Sequence, residues 1–309
     1  MNSSLTQVVR PTTILEPARL ARHVGARISL ASETFQHTGS FKFRAAYNVA
    51  AEVSQQMLIT ASSGNFGQAL AYACSLLGKR AIVVMPSTSA QVKIEAVREF
   101  GGQVELVDVR LKSRAARVAE LAAEHPDGYV ASAYDDPLVI EGNSTLGIEL
   151  GRVHANVAPF DLVLVPVGGG GLSAGVIRGL SQAHAEIPVI GAEPLLGNDA
   201  ARSLAAGHIV ANESEPETIA DGARTLSLGR HNWEVLKDGL ARIIEVPEEK
   251  IAEAVRLLFA LANLKVEPTG ALALGAVLTE PESFEGRSVC CVVSGGNVDP
   301  AVYRAILAG

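Results

Sequence analysis

Short apolar runs rich in valine and isoleucine alternate with longer segments of helical periodicity along most of this sequence. The apolar runs predict strands at 27–30, 57–60, 81–85, 104–107, 162–167, 188–192, 243–246 and 289–293. The periodic segments predict helices at 65–77, 90–100, 113–124, 172–185, 248–262 and 269–278. Apolar strands that are each followed by a helix are typical of a parallel sheet covered on both faces. The sequence therefore predicts an α/β protein.

The length predicts two domains. One hydrophobic core usually stops growing at about 250 to 300 residues, and this chain has 309. Residues 57–134 hold three of these predicted strand–helix units and are expected to form four, which can close a sheet of their own. We therefore expect a small mobile domain at 56–134 and a large, discontinuous ligand-binding domain at 1–55 and 135–309. Ligands of such folds bind beyond the carboxyl ends of the strands, so the cleft between the domains is the predicted site.

Composition excludes several classes of protein. There are 26 Lys and Arg residues against 33 Asp and Glu, a formal charge of -7, which argues against nucleic acid as the main partner. The sequence begins without the cationic and apolar segments of a signal peptide, and no stretch approaches ~18 uninterrupted apolar residues. We expect a cytoplasmic protein that does not enter a membrane. No spacing of cysteine and histidine suits zinc, and Cys74, Cys290 and Cys291 are predicted to be buried thiols.

Lys42 lies between Phe41 and Phe43, near the start of a predicted helix, in a chain with only 5% aromatic residues. A lysine amine is a nucleophile only when it is unprotonated, and apolar neighbours lower its pKa towards usable values. The alternative is a surface lysine whose stem lies along core phenylalanines. This segment alone leaves both interpretations open.

The strand predicted at 57–60 runs into Ser62, Ser63, Gly64 and Asn65, just where a helix begins. Backbone N–H groups at such a turn, together with the helix N-terminus, can hold an anion such as a substrate carboxylate. Capping of the helix by these side chains explains the same residues without a ligand.

Four consecutive glycines, Gly168 to Gly171, follow the strand predicted at 162–167 and precede a helix. Such a run costs backbone entropy, and before a helix it is typical of a phosphate cradle. A rival interpretation exists, because Gly169, Gly171 and Ala174 have the spacing of the dinucleotide fingerprint and Glu193 follows about 20 residues later. A nicotinamide-dependent oxidoreductase therefore remains an alternative, although it leaves the other clusters unexplained.

Ser294 follows the last predicted strand and precedes Gly295 and Gly296. Its hydroxyl can bond a ring nitrogen while the glycines let a flat ring lie against the backbone; an ordinary turn is the alternative. One ligand would use a lysine nucleophile, a phosphate cradle, a carboxylate turn and such a hydroxyl together. That ligand is pyridoxal phosphate.

The segments QHTGSFKFRAA, TASSGNFGQALAYA, VPVGGGGLSAG, GAEPLLGNDA, TIADG, EPTGALA and SGGNVD extend the pattern over nearly the whole chain. Their order and spacing resemble the serine/threonine dehydratase and serine racemase family of fold-type II pyridoxal-phosphate enzymes. The resemblance implies a two-domain α/β fold with the active site in the interdomain cleft, a homodimer, and pyridoxal phosphate bound to the large domain. Because only one helix follows SGGNVD, we expect no appended regulatory domain.

The resemblance also implies roles for individual residues, with Lys42 as the internal Schiff-base lysine. The other implied cofactor contacts are Phe41 against the ring, Asn65 at its hydroxyl, Ser294 at its nitrogen, and Gly168, Gly169, Gly170 and Gly171 at the phosphate. The substrate carboxylate would be held by Ser62, Ser63, Gly64 and Asn65. Ser63 matches the serine that serves racemases as a second base, so the predicted catalytic residues are Lys42 and Ser63.

A metal site is implied in the same way. In the family a glutamate, a backbone carbonyl and an aspartate bind Mg²⁺ or a similar cation, and Glu193, Gly197 and Asp199 match those positions. Oxygen ligands suit a hard divalent cation. Two solvated loop carboxylates are the alternative.

The reaction that these residues favour is β-elimination. A neutral hydroxyl at the pyridine nitrogen supports a weaker electron sink than a carboxylate would, which suits loss of a β-substituent. We expect dehydration and deamination of L-serine, L-threonine or a similar β-hydroxy amino acid. A serine or hydroxyaspartate racemase is the close alternative, and a non-catalytic amino-acid sensor is a third class.

Three departures from the family pattern bear on the substrate. Phe66 stands where histidine is common, Ala45 replaces the glycine of RGA, and Asn143 and Ser144 replace the central residues of GQGT. Phe66 makes one wall more apolar, which could admit a bulkier substrate or could be neutral packing.

Overall fold

A computed structural model describes residues 3–62, 64–89 and 91–309 of the chain. In these ranges the strands are β1 (Thr13–Leu15), β2 (Arg27–Ser32), β3 (Met57–Ala61), β4 (Arg80–Pro86), β5 (Gln103–Val107), β6 (Tyr129–Val130), β7 (Leu162–Pro166), β8 (Val189–Pro194), β9 (Leu240–Val246) and β10 (Ser288–Val293).

The helices are α1 (Ser3–Val8), α2 (Ala18–Val24), α3 (Lys42–Glu52), α4 (Asn65–Leu76), α5 (Gln91–Glu99), α6 (Arg114–Glu124), α7 (Pro137–Asn156), α8 (Gly171–Gln182), α9 (Asp199–Ala206), α10 (Arg230–Gly239), α11 (Glu248–Ala262), α12 (Pro268–Thr279) and α13 (Pro300–Ala308). None of them, within the described ranges, has the length and apolar character needed to span a bilayer.

The larger sheet has six strands in the order β1-β2-β10-β7-β8-β9, and all its pairs are parallel except β1 with β2. Alternate residues of β10 enter different cores. Cys291 packs with α11 and α12 on one face, whereas Cys290 and Val292 pack with α7 and α8 on the other. This sheet is therefore apolar on both faces, as its valine-rich strands predict. All three cysteines are free and buried, as expected.

The smaller sheet is parallel, in the order β5-β4-β3-β6. The sheet is built from three strand–helix units and the short strand β6. The expectation of a fourth strand–helix unit at 57–134 is therefore wrong. β6 has only two residues, and the helix after it, α7, packs chiefly against α8. The division into 1–55 with 135–309 and 56–134 stays a prediction. The apolar side of α3 packs into the same core as α4, which favours grouping α3 with the smaller sheet.

The strand ends gather the segments of interest. The residues after β3, β7 and β10 are Ser62, Val167 with the four glycines, and Ser294. An isolated bridge between Ser40 and Gly295 brings the start of α3 to the end of β10. The fold thus places Lys42 beside the larger sheet's carboxyl edge.

A buried arginine ties three parts of the fold together. Arg44, on α3, is fully buried and forms ion pairs of 2.8 Å with Glu33 and with Glu149 of α7. Its Nη2 also donates to the Thr12 hydroxyl at 3.0 Å. Both glutamates meet the planar guanidinium with two oxygens each, a geometry that lysine cannot reproduce.

Candidate active site

Lys42 is the first residue of α3, and its amine lies in an apolar and aromatic environment. Nζ donates a hydrogen bond to the carbonyl of Ala133 at 2.7 Å, and it lies 5.1 Å from the ring centroid of Phe41 and 5.8 Å from that of Phe66. Burial lowers the pKa of Lys42 from 10.5 to about 8, although the charge of Glu267 opposes this. The amine is therefore partly unprotonated near neutral pH, as a nucleophile requires.

Asn65 begins α4 and is linked to two residues of the larger-sheet side. Its Nδ2 donates to both carboxylate oxygens of Glu267, at 2.8 and 3.1 Å, and its Oδ1 accepts from Nδ2 of Asn297 at 2.8 Å. Glu267 precedes α12 and would be expected to cap that helix; instead its side chain makes no capping bond and reaches Asn65. The expected contact between Asn65 and a cofactor hydroxyl stays a prediction.

The turn before α4 is organised by Ser62. Its Oγ accepts from the backbone N–H of Gly64 at 3.3 Å and of Gly67 at 3.1 Å, as the capping alternative predicts. A Cβ on Gly64 would meet nothing within 4 Å, so the turn has open space on that side. Ser63, the predicted second base, lies outside the described residues. The substrate roles of this turn stay predictions.

The tetraglycine segment joins β7 to α8 with its backbone tightly enclosed. A Cβ on Gly169 would overlap the ring of Tyr134, one on Gly168 would lie 3.0 Å from Cα of Ala223, and Gly170 has a φ of 91°. Protein contacts thus require glycine at these positions. The sequence alone had suggested a different reason for the glycines, namely close approach of a phosphate. In the described structure the N–H groups of Gly168 to Gly170 have no protein acceptor, although the segment is mostly buried. Donors left in this way at a helix N-terminus suit an anion.

Two neighbouring segments hold this loop. Asn232 on α10 donates to the carbonyls of Gly169 at 2.6 Å and Tyr134 at 3.0 Å. Gly222, in the TIADG stretch, lies against Gly168 and donates its N–H to Thr269 of α12 at 2.9 Å. The TIADG stretch therefore has a structural role, because it packs against the glycine loop.

Ser294, directly after β10, presents a buried hydroxyl that has no hydrogen-bond partner. The same is true of Ser40 and Thr38, near the start of α3. Buried hydroxyls are normally paired, so a group of unpaired ones beside the Lys42 segment indicates that a polar ligand completes this site.

Glu193, near the end of β8, and Asp199, the first residue of α9, form a second polar group. Both oxygens of Glu193 accept backbone N–H groups, from Ala200 and Ala201 at 2.9 Å. Burial raises the pKa of Asp199 to about 6 and that of Glu193 well above its usual range, so these are not solvated loop carboxylates. Oδ2 of Asp199 is buried without a partner. Gly197 lies between them at the end of a short 3-10 helix.

The site as a whole fits pyridoxal phosphate. It offers an amine of lowered pKa at Lys42, unpaired backbone donors at Gly168 to Gly170 and an unpaired hydroxyl at Ser294. Comparison with protein families matches residues 5–295 to the family described as "Pyridoxal-phosphate dependent enzyme". The chain therefore belongs to the pyridoxal-phosphate-dependent enzymes, and its fold is that of fold type II. This membership removes the case for a nicotinamide-dependent oxidoreductase.

Individual relatives of the chain have more specific names than the family. The chain is 33% identical to an L-threo-3-hydroxyaspartate ammonia-lyase of Pseudomonas sp, over 96% of this chain and 93% of the relative. It is 35% identical to the serine racemase of Mus musculus, over 93% of this chain and 86% of the relative. Among solved structures, a threonine deaminase from T.th. aligns with a TM-score of 0.89 and 39% identity, over 96% of this chain and 95% of that one.

Sequence reasoning missed three contributors to the site. Ala133 acts through its backbone carbonyl, which no side-chain motif reveals. Asn232 lies on a helix that the periodicity did not predict. The pairing of Glu267 with Asn65 carries no local signal, because the two residues are 202 positions apart in the chain.

Proposed function

We propose that this chain is a pyridoxal-phosphate-dependent ammonia-lyase, which dehydrates and deaminates a β-hydroxy amino acid to a 2-oxo acid and ammonia. The observation that carries this proposal is the Lys42 amine, whose pKa is lowered to about 8 among two aromatic rings. The names of the relatives support the substrate class, since hydroxyaspartate, serine and threonine all carry a β-hydroxyl.

The residues of the chain divide the chemistry between them. When bound, pyridoxal phosphate supplies an aldehyde that links to amines and a ring that withdraws electrons from Cα. Lys42, once exchanged for the substrate's amine, is a base of suitable strength to take the α-proton. The β-hydroxyl then leaves as water with a proton from a nearby donor, and hydrolysis of the released enamine gives the 2-oxo acid and ammonia. Phe41 and Phe66 shield the amine on the sides that their rings occupy.

Ser294 bears on the type of reaction. A hydroxyl at the ring nitrogen does not force that nitrogen to stay protonated, so charge at Cα is better relieved by early loss of the β-substituent. This favours elimination over reactions that need a long-lived carbanion.

The test uses L-serine, L-threonine and L-threo-3-hydroxyaspartate as substrates of the purified, cofactor-loaded enzyme. Ammonia and 2-oxo acid are expected in equal amounts from at least one of them. Borohydride reduction should fix the cofactor on Lys42, and Lys42→Ala should lose both the near-visible absorbance and turnover, whereas Lys237→Ala, at an exposed position of α10, keeps both. Chiral analysis of the recovered substrate detects racemisation; inversion without ammonia release would replace the lyase by a racemase.

We further propose that Glu193, Asp199 and the carbonyl of Gly197 bind Mg²⁺ or a similar cation. In the described chain no three Asp, Glu, His or Cys side chains converge on a metal position, so this site would use two carboxylates, a carbonyl and waters. The unpaired Oδ2 of Asp199 supports the assignment. Mg²⁺ should raise the melting temperature of the wild type and of Asp238→Asn, an exposed control, but not of Asp199→Asn. Equal melting curves in Mg²⁺ and in chelator would contradict it.

A homodimer in the cytoplasm completes the proposal. The dimer rests on the family resemblance, and light scattering of the loaded enzyme tests it. Cell fractionation tests the location.

A further inference from the structure

Glu267 is a buried carboxylate that the proposed reaction does not use. Only 4% of the residue is exposed, and its two oxygens accept three hydrogen bonds, two from Nδ2 of Asn65 and one of 3.1 Å from the backbone N–H of Asn297. These bonds join α4, on the smaller sheet, to the start of α12, on the larger one.

The amides around Glu267 form a chain with a defined direction. Nδ2 of Asn297 donates to the carbonyl of Thr38 at 2.7 Å and to Oδ1 of Asn65 at 2.8 Å. Nδ2 of Asn65 then donates to Glu267. If the Asn65 amide were rotated by half a turn, its oxygen would face a carboxylate and its nitrogen would face another NH₂ group. An ionised carboxylate only accepts hydrogen bonds, so it excludes that arrangement.

We propose that Glu267 is a positioning residue, whose carboxylate fixes the orientation of the Asn65 amide. The proposal rests on the proposed function in one respect: Asn65 is the residue expected at the cofactor ring.

The charges around Glu267 make this positioning dependent on pH. Lys42 on α3 and Lys93 on α5 face it with positive charge, and Asp221 in the loop after β8 and α9 faces it with negative charge. Burial, with Asp221, raises the pKa of Glu267 to about 7, although the bonds from Asn65 and Asn297 and the charge of Lys93 oppose this. Below that pH a proton on one oxygen turns an acceptor into a donor. One bond from Asn65 or Asn297 is then lost.

The experiment compares the loaded wild type with Glu267→Gln, Glu267→Asp and Glu282→Gln. Glu282 lies in an exposed turn and is the matched control. Absorbance of the bound cofactor is followed from pH 5.5 to 9 without substrate. A transition with a midpoint near 7 is expected in the wild type, Glu267→Asp and Glu282→Gln, and not in Glu267→Gln, whose amide places a donor against donors. For ammonia release, Glu267→Gln should lose at least about tenfold in kcat with less than about threefold change in KM, as for lost orientation.

The outcomes separate this proposal from the proposed function. A Glu267→Gln enzyme that keeps the transition and a kcat within about twofold of the wild type overturns the positioning role while the lyase activity stands. A wild type that releases no ammonia, but whose absorbance titrates as described and loses the transition in Glu267→Gln, overturns the lyase activity alone. If Glu267→Gln fails to fold, the test uses the wild type and Glu267→Asp. A wild-type cofactor spectrum that stays constant between pH 6 and 8 contradicts the proposal. A transition that is retained in Glu267→Asp supports it.

Discussion

The amine of Lys42 lies 5.8 Å from the centre of the Phe66 ring. Phe66 is 1% exposed and belongs to the core that α3 and α4 share with the smaller sheet. Two opposing effects act on the amine. A ring face attracts the cation, whereas the loss of water on burial disfavours it and lowers the pKa of Lys42. Phe66 thus serves both packing and the state of the amine.

Replacement of Phe66 by alanine should therefore destabilise the fold. A buried phenylalanine removed from a core costs about 3 to 5 kcal/mol. Phe35→Ala is the matched control, because Phe35 is 52% exposed and should change the free energy of unfolding by less than about 0.5 kcal/mol. Urea denaturation of the cofactor-free proteins measures both. Similar losses in the two variants would mean that Phe66 does not pack as described.

The lowered pKa of Lys42 predicts the pH dependence of cofactor capture. Attachment needs the neutral amine, so the rate for cofactor-free protein should rise with pH and level off above about 8. With that pKa, about a tenth of the amine is neutral at pH 7, far more than for a free lysine. Stopped-flow absorbance measures the rate, and a blocked lysine in solution is the control, whose rate should keep rising to about pH 10.5. A protein rate that rises in parallel with the control would show an ordinary amine.

Loss of the Arg44 guanidinium should strongly lower the free energy of unfolding. Arg44→Met leaves Glu33, itself 1% exposed, as a buried charge without its partner, and such changes cost about 3 to 5 kcal/mol. Arg44→Lys should recover only part of this because one amine cannot meet both glutamates with paired bonds. The control is Arg110→Met, since Arg110 is 85% exposed and its surface pair with Asp108 should contribute little to stability. Equal unfolding energies for the two methionine variants would contradict the buried network.

Substitution in the glycine loop should affect cofactor affinity and stability together. In Gly169→Ala the new methyl group overlaps the Tyr134 ring, so the loop or that ring must shift. Fluorescence titration of the cofactor-free protein should show affinity weaker by at least about tenfold, a change of ~1.4 kcal/mol. Gly25→Ala is the control, since Gly25 has a φ of 71° but no neighbour within 4 Å of the added Cβ. It should lose about 1 kcal/mol of stability and no affinity. Unchanged affinity in Gly169→Ala would show that the loop tolerates a side chain.

The eight strands predicted from the sequence are all confirmed, with ends shifted by at most three residues. β1 and β6 were missed because two or three residues carry too little periodicity. α7 was missed for another reason: Gly142, Gly147 and other glycines disfavour a helix. In the structure these glycines allow close helix packing, since a Cβ on Gly147 would lie 2.9 Å from Cα of Gly179 on α8. Tertiary contact therefore overrides local preference.

Tertiary contacts also limit how much of the site the sequence can predict. Lys42, the glycine run and Ser294 each interrupt an apolar pattern next to a strand or helix end, so each could be found by reading along the chain. The pairing of Glu267 with Asn65 could not, because it depends on how two sheets meet. The bonds that Ser62 accepts from Gly64 and Gly67 agree with the capping interpretation, whereas the carboxylate role of the turn stays a prediction.

β10 lies between β2 and β7 and pairs with both, although it is made long after either of them. On the ribosome, Lys42 emerges early and must wait for this strand before Ser294 comes near it. Until then the edges of β2 and β7 that pair with β10 are unpaired and the larger sheet is incomplete. Unpaired strand edges promote aggregation and are bound by chaperones. We therefore expect the cofactor to bind after β10 has been made, and cellular yield to depend on how quickly this parallel strand inserts.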